Sequence, residues 1–137
     1  MPEVWGFSVE KTLRCGWGPI REEVLLDLRA EGHVVGIIGN WGKFCRSIRG
    51  WQDYVSFLSI GLSKEVWMCH FKEVLPIYDR YVLVGNTHKK APGTNDDYAV
   101  AQKAGWDFIN SWDFRDIVPL KRYQAECPPE SGRRQDV

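Results

Sequence analysis

The apolar residues of this chain fall into short runs that alternate between two periodicities. Continuous apolar runs, typical of strands covered on both faces, predict five strands, at 4–9, 33–38, 55–62, 80–84 and 106–109. Between them, apolar residues recur at three- and four-residue spacing and predict helices at 20–29, 43–54, 63–75 and 96–104. Strands that alternate with helices imply parallel crossovers. We therefore expect an α/β fold, a single Rossmann-like three-layer domain with a mostly parallel sheet.

Several residues mark where the predicted helices begin and end. Pro19 precedes the helix at 20–29, and Gly32 closes it. Ser63 has the side chain of a good N-cap for the next helix. Asn95 or Thr94 is the expected N-cap of the helix at 96–104. These signals support the alternation of strands and helices along the chain.

The length of 137 residues suits one domain with one core, and we expect no separate cap domain. The domain is predicted to cover 1–123, and the tail at 124–137, which lacks a core-forming pattern, is predicted to be disordered. Seven Trp, five Tyr and six Phe indicate an aromatic-rich core or an exposed sticky face. Trp106, Trp112 and Phe114 lie within or after the last predicted strand, and we expect them to seal the sheet edge.

The balance of charges excludes a protein that binds nucleic acid or membranes through a large net positive charge. Eighteen basic and eighteen acidic residues give a formal charge of zero, so a local site must hold any anionic ligand. No apolar run approaches the roughly 18 residues that span a bilayer. The four cysteines form no C-x-x-C pair, and the first residues lack a signal-peptide pattern. We expect a cytoplasmic protein with free thiols, whose oligomeric state the sequence leaves open.

Ligands of parallel α/β sheets bind beyond the carboxyl ends of the strands. In this chain the segments that follow the first, second and fourth predicted strands are 8–12, 39–40 and 85–97. Each segment carries polar or glycine residues directly after an apolar run. We therefore expect a functional site to be built from these three segments.

The first two of these segments resemble motifs of the haloacid dehalogenase-like (HAD) phosphatase superfamily. That family's first motif runs apolar-Asp-x-Asp-Gly-Thr-Leu, and this chain has Phe7-Ser8-Val9-Glu10-Lys11-Thr12-Leu13. Thr12 and Leu13 match, Glu10 is an acid one methylene longer than Asp, and Ser8 stands at the nucleophile position. The second motif is an apolar strand that ends in Ser or Thr, often before Asn. Here Gly39 replaces the hydroxyl residue, and Asn40 matches.

The third and fourth motifs follow in the same order. Lys64 satisfies the third, a Lys near the start of a helix. The fourth is a strand that ends in Gly-Asp, followed by Asp-x-x-x-Ala-x-x-x-Gly. This chain has Gly85-Asn86, an insertion at 88–93, and then a close match over 97–105 that begins with Asp97. The resemblance covers about 4–114, and the order of all four motifs supports it more than any single residue.

The family's chemistry implies a role for each matched position. In the family a carboxylate attacks phosphorus, a second acid serves the leaving group and then water, and Mg²⁺ with a Lys neutralises phosphate charge. The implied catalytic positions are Ser8, Glu10 and Lys64; the phosphate-binding positions are Thr12, Gly39, Asn40 and Lys64; and the metal positions are Asn86, Asp97, Ser8 and the backbone carbonyl of Glu10.

Two of the family's acids are replaced here. Ser8 removes the attacking carboxylate together with one metal ligand, and Asn86 removes another negative charge. We therefore expect a weakened Mg²⁺ site in a pseudoenzyme, a catalytically weak or inactive phosphatase relative that holds phosphate or a phosphorylated small molecule. Two alternatives stay open. One is an active Mg-dependent phosphoric monoester hydrolase acting on a small phosphorylated metabolite or a nucleic-acid end, and the other is a non-enzymatic protein-interaction module.

Overall fold

A computed structural model describes residues 2–61, 63–87 and 96–117 of this chain, and for 115–117 it describes the backbone alone. Its sheet has five strands, which are β1 Val4–Phe7, β2 Val34–Ile37, β3 Phe57–Leu58, β4 Tyr81–Gly85 and β5 Asp107–Asn110. The strand order is β3-β2-β1-β4-β5, and every neighbouring pair is parallel. The predicted parallel sheet is confirmed, and β1 lies at its centre between β2 and β4.

Helices cover both faces of this sheet. They are α1 Glu23–Ala30, α2 Trp41–Ser47, α3 Lys64–Val74, α4 Asp97–Ala104 and α5 Ser111–Ile117. Because successive residues of a strand point to opposite faces, Trp5 and Phe7 pack in one apolar cluster with α1, α2 and α5. Val4 packs in the other cluster with α3 and α4. The protein is therefore a mixed α/β domain with a three-layer, Rossmann-like fold.

The first helix begins later than its sequence pattern predicts. Ile20 is buried and forms a parallel bridge with Leu13, and its carbonyl accepts a hydrogen bond from the Arg14 amide. α1 begins only at Glu23. Ile20 fits the apolar spacing at 20–29 because it is buried. Its burial comes from the loop contact with Leu13, however, and not from a position on the helix. Pro19 therefore does not open the helix.

The aromatic residues near the last strand do not seal the sheet edge. Phe114 lies on α5, a helix that the pattern did not predict, and packs against Trp5 and Phe7 of the central strand. Trp106 is buried on the opposite face, where its indole donates to the Met68 carbonyl at 3.1 Å. Trp112 is half-exposed. The expected seal at the sheet edge was wrong because α5 folds back over the sheet and places Phe114 on a face of the sheet.

Some sequence predictions lie outside the described residues. These are the insertion at 88–93, the domain end at 123, the tail at 124–137 and the proposed N-caps Thr94 and Asn95. The described N-cap of α4 is Asp96. No helix in the described ranges is long and apolar enough to cross a membrane.

Candidate functional site

Three side chains meet at the carboxyl edge of the sheet, and we call them the Lys64 cluster: Ser8, Lys64 and Asp97. The Lys64 Nζ donates to Asp97 Oδ1 at 2.6 Å and to Ser8 Oγ at 3.2 Å. The Asp97 side chain is only 7% exposed, and that of Lys64 is 29% exposed. The ammonium of Lys64 therefore lies beside the buried carboxylate and the buried hydroxyl.

Local structure explains how Lys64 and Asp97 reach this position. Each is the first residue of a helix, and the Ser63 Oγ caps α3 by accepting from the Val66 amide at 3.4 Å, as predicted. Gly39 adopts a φ of 108°, and a Cβ built on it would lie 2.5 Å from the Lys64 Cε. A Cβ on Gly85 would likewise collide with the Asp97 carboxylate. Glycines at the ends of β2 and β4 thus make room for both charged side chains.

The second carboxylate oxygen of Asp97 is also occupied. Asp97 Oδ2 accepts the Asn86 amide at 3.0 Å, which ties the segment after β4 to the start of α4. Thr87 Oγ1 makes a similar tie by donating to Asp96 Oδ2 at 2.7 Å. Asn86 therefore joins the cluster through its backbone, and Asp97 is held by an ammonium on one oxygen and an amide on the other.

Glu10 lies in a separate polar group with Asn40 and Lys43, which we call the Glu10 group. Asn40 Nδ2 donates to Glu10 Oε2 at 2.6 Å, and the Lys43 Nζ lies 3.7 Å from the same oxygen. The Glu10 side chain is 57% exposed. No hydrogen bond or ion pair in the described part of the chain joins Glu10 to Ser8, Lys64 or Asp97. The structure thus pairs Glu10 with Asn40 but leaves its carboxylate outside the Lys64 cluster.

Thr12 has a structural contact in this loop. Its Oγ1 donates to the backbone carbonyl of Glu10 at 3.1 Å, and its side chain is buried. That carbonyl is the one for which the family resemblance implies a metal ligand. Thr12 therefore braces the turn that follows Ser8, and the carbonyl of Glu10 is turned toward the Thr12 hydroxyl.

Two buried serines complete the edge, and neither was among the predicted site residues. Ser59 follows β3, and its buried side chain accepts a hydrogen bond at its Oγ from the Gly39 amide at 2.9 Å. Ser111 follows β5 and donates to the Lys11 carbonyl at 3.1 Å. Ligands bind beyond the carboxyl ends of parallel strands, and this rule would have identified Ser59 had the end of β3 been located. It would have identified Ser111 had it been applied to the fifth predicted strand.

Two backbone amides directly after Ser8 donate no hydrogen bond to a described residue. The Ser8 amide donates to the Val84 carbonyl at 3.0 Å, whereas the amides of Val9 and Glu10 have no acceptor among the residues with described positions. Val9 is 1% exposed, and a buried amide without an acceptor is rare in native proteins. An anion seated beside Ser8 would supply such an acceptor.

The geometry argues against nucleophilic catalysis by Ser8. A serine hydroxyl becomes a nucleophile when an adjacent base removes its proton. Here the neighbour of the Ser8 Oγ is the Lys64 ammonium, which donates a hydrogen bond to it and forms an ion pair with Asp97. The cluster therefore holds Ser8 as a hydrogen-bond acceptor, and no described hydrogen bond joins the Ser8 hydroxyl to its carboxylate, Asp97.

The donor set also does not fit Mg²⁺, which prefers several carboxylate oxygens and water. The ammonium of Lys64 lies beside both Ser8 and Asp97, two of the implied metal positions. Both oxygens of Asp97 already accept hydrogen bonds. Within the ranges described above, no group of three or more His, Cys, Asp or Glu side chains could hold a metal ion.

No protein-family model, curated protein or solved structure matches this chain. A fold of this kind hosts many unrelated functions, so the fold alone does not select one. A function must therefore be inferred from the chemistry of the residues at the carboxyl edge.

The three cysteines of the described part, Cys15, Cys45 and Cys69, are free thiols. Burial, followed by the nearby Glu22 carboxylate, raises the pKa of Cys15 to about 12. A raised pKa leaves a thiolate fraction of only about 10⁻⁴ at pH 8. We expect iodoacetamide to modify Cys15 at least about 100-fold more slowly than the exposed Cys69 at pH 8, as followed by peptide mass mapping.

The variant Glu22→Gln tests the cause of this low reactivity. It removes the negative charge beside Cys15, so alkylation of Cys15 should speed up while that of Cys69 stays constant. Reactivity should also rise with pH beyond pH 9, because the thiolate fraction grows until the pH passes the raised pKa. Equal alkylation rates of Cys15 and Cys69 at pH 8 would contradict the assignment.

Proposed function

We propose that this chain is a HAD-like protein that holds a phosphate group at the carboxyl edge of its sheet and does not hydrolyse it at a useful rate. The observation that supports this most directly is the Lys64 ammonium, which the start of α3 brings to the strand end beside Ser8. The free thiols of Cys15, Cys45 and Cys69 support a reducing cytoplasm as its location.

The donors of the site suit a phosphate oxygen. An ammonium has three N–H groups, and Lys64 uses two of them on Ser8 and Asp97. The third N–H and the available amides of Val9 and Glu10 would serve oxygens of a phosphate placed beside Ser8. The ligand would therefore be a phosphorylated small molecule held by its phosphate.

The charges of the site limit its affinity. The positive charges of Lys64 and Lys43 are balanced by Asp97 and Glu10, so the site has no net excess of positive charge. We therefore expect a Kd for inorganic phosphate on the order of 1 mM. Among the described residues no base contacts the Ser8 hydroxyl, and this supports weak or no hydrolysis, as does the poor fit to Mg²⁺.

Calorimetric titration of the full chain with inorganic phosphate tests the proposal. The variant Lys64→Met with Asp97→Asn removes both charges of the pair together, so it leaves neither charge unpaired. We expect phosphate binding at the edge to be lost in this double variant. Lys103→Met, which removes an exposed Lys from α4, should leave the affinity unchanged.

Two results would overturn the proposal. Unchanged phosphate affinity in the double variant would show that the Lys64 cluster is a structural ion pair and not a phosphate site. Robust Mg-dependent turnover of p-nitrophenyl phosphate, abolished by Glu10→Ala, would show an active phosphatase instead. A readout of both binding and turnover on the same samples separates these outcomes.

A further inference from the structure

A second cavity lies away from the Lys64 cluster, where the loop after β1 meets the start of α1 and the segment after α2. Its volume is about 560 Å³, which is in the range of small-molecule sites. Three arginines line it, and we call it the arginine cavity after them: Arg14, Arg21 and Arg49. It shares no lining residue with the Lys64 cluster.

Two of these arginines are not neutralised. The side chains of Arg14 and Arg49 make no ion pair with an acid among the residues that the structure describes. Both residues are exposed, so water screens the repulsion between their guanidinium groups, and an anion bound between them would lower it further. Planar guanidinium groups bind carboxylate and phosphate oxygens through paired hydrogen bonds. The cavity therefore presents unused donors of the type that recognises anions.

The acids in the cavity wall are already engaged. Glu22 Oε2 accepts the Cys15 amide at 2.8 Å, and the Glu23 Oε1 lies 3.7 Å from the Arg21 Nε. Three guanidinium groups against two carboxylates leave one positive charge in excess. This excess charge favours an anionic ligand.

The other residues that line the cavity indicate which anions would fit it. The hydroxyls of Ser47 and Tyr54 add hydrogen-bonding groups, and Ile48 adds an apolar surface. Burial, followed by the charges of Glu23 and Glu22, raises the pKa of Tyr54, so its hydroxyl stays protonated and able to donate. Such a wall suits a compact ligand with several acidic groups and a short carbon body.

We propose that the arginine cavity binds a small polyanion, a metabolite with at least two phosphate or carboxylate groups, held between Arg14 and Arg49. This site is independent of the proposed phosphate site at Lys64. Its chemistry is common to phosphorylated and polycarboxylic compounds, so the test includes one probe of each kind.

The test is calorimetric titration of the full chain with pyrophosphate and with citrate. We expect at least one probe to bind, and Arg14→Gln and Arg49→Gln each to weaken that binding by about 10-fold or more. Arg46→Gln is the matched control, because Arg46 is an exposed arginine of α2 outside the cavity wall. Glu23→Gln should strengthen binding, since it removes a negative charge from the wall, and this gain cannot come from unfolding.

The two sites can be told apart in the same experiment. The double variant Lys64→Met with Asp97→Asn should keep the polyanion affinity, so a failure of the Lys64 proposal would leave this one intact. Binding of pyrophosphate alone would identify phosphate chemistry, and binding of citrate alone would identify carboxylate chemistry. The proposal would be overturned by no binding of either probe at millimolar concentration, by an equal loss in Arg46→Gln, or by loss of binding in the double variant.

Discussion

Replacement of Asp97 by Ala is expected to lower the free energy of unfolding by about 3 kcal/mol, one of the largest single-residue effects in this site. The change leaves the Lys64 ammonium without the carboxylate 2.6 Å away, and it also removes the acceptor of the Asn86 amide. An unpaired charge in a largely buried site costs more than the pair itself contributes. The Lys64 side chain is 29% exposed, so we take the lower end of the usual range.

Urea denaturation with two companion variants measures this effect. Asp107→Ala removes the acid of the Arg80–Asp107 pair, which is also close, at 2.8 Å, but has side chains 42% and 59% exposed. That loss should be below about 1 kcal/mol, because water screens an exposed pair. Lys64→Met with Asp97→Asn should recover part of the stability lost in Asp97→Ala. If Asp97→Ala cost no more than Asp107→Ala, the Lys64 cluster would not be a buried pair.

The second large effect is expected when acids are introduced at Ser8 and Asn86, the two positions where the HAD motifs have Asp. In Ser8→Asp with Asn86→Asp, two carboxylates join Asp97 at the sheet edge and give Mg²⁺ the ligands it prefers. We expect Mg²⁺ affinity to rise at least about 100-fold over the starting protein. At a Mg²⁺ concentration of 100 times Kd, this binding stabilises the fold by about 2.7 kcal/mol and raises Tm by roughly 10 °C.

Thermal melts in Mg²⁺ and in chelator test this expectation. In chelator the added acids repel Asp97, so the double variant should melt below its Mg²⁺-loaded form, while the starting protein should show little difference. Ser8→Asp and Asn86→Asp made singly are the controls, and their combined effects should fall short of the double variant. Equal melting temperatures with and without Mg²⁺ in the double variant would mean that these positions do not share a site, and the HAD resemblance would be misleading.

The site was predictable to the extent that it depends on strand ends. Ser8, Asn86 and Asp97 lie in segments that follow predicted strands, so local periodicity located them. Lys64 follows the predicted N-cap Ser63, and only the resemblance to the third HAD motif assigned it to the site. Parallel strands then bring their carboxyl ends to one edge, which accounts for the contact of Ser8, Lys64 and Asp97. The rest of the site depends on where side chains point, which local patterns do not contain.

The alternation of strands and helices through β5, the parallel sheet and part of the set of polar groups at its edge could be inferred from the sequence, because the periodicity of apolar residues reports which face of each element is buried. Helix α5 and the hydroxyls of Ser59 and Ser111 were missed. The contacts between residues that lie far apart in the sequence could not be inferred. The folded chain turns Glu10 toward Asn40 and Lys43, and it brings the arginines of two separate segments to one cavity. Side-chain direction, loop path and charge pairing are set by neighbours far along the chain, so no local window of sequence contains them.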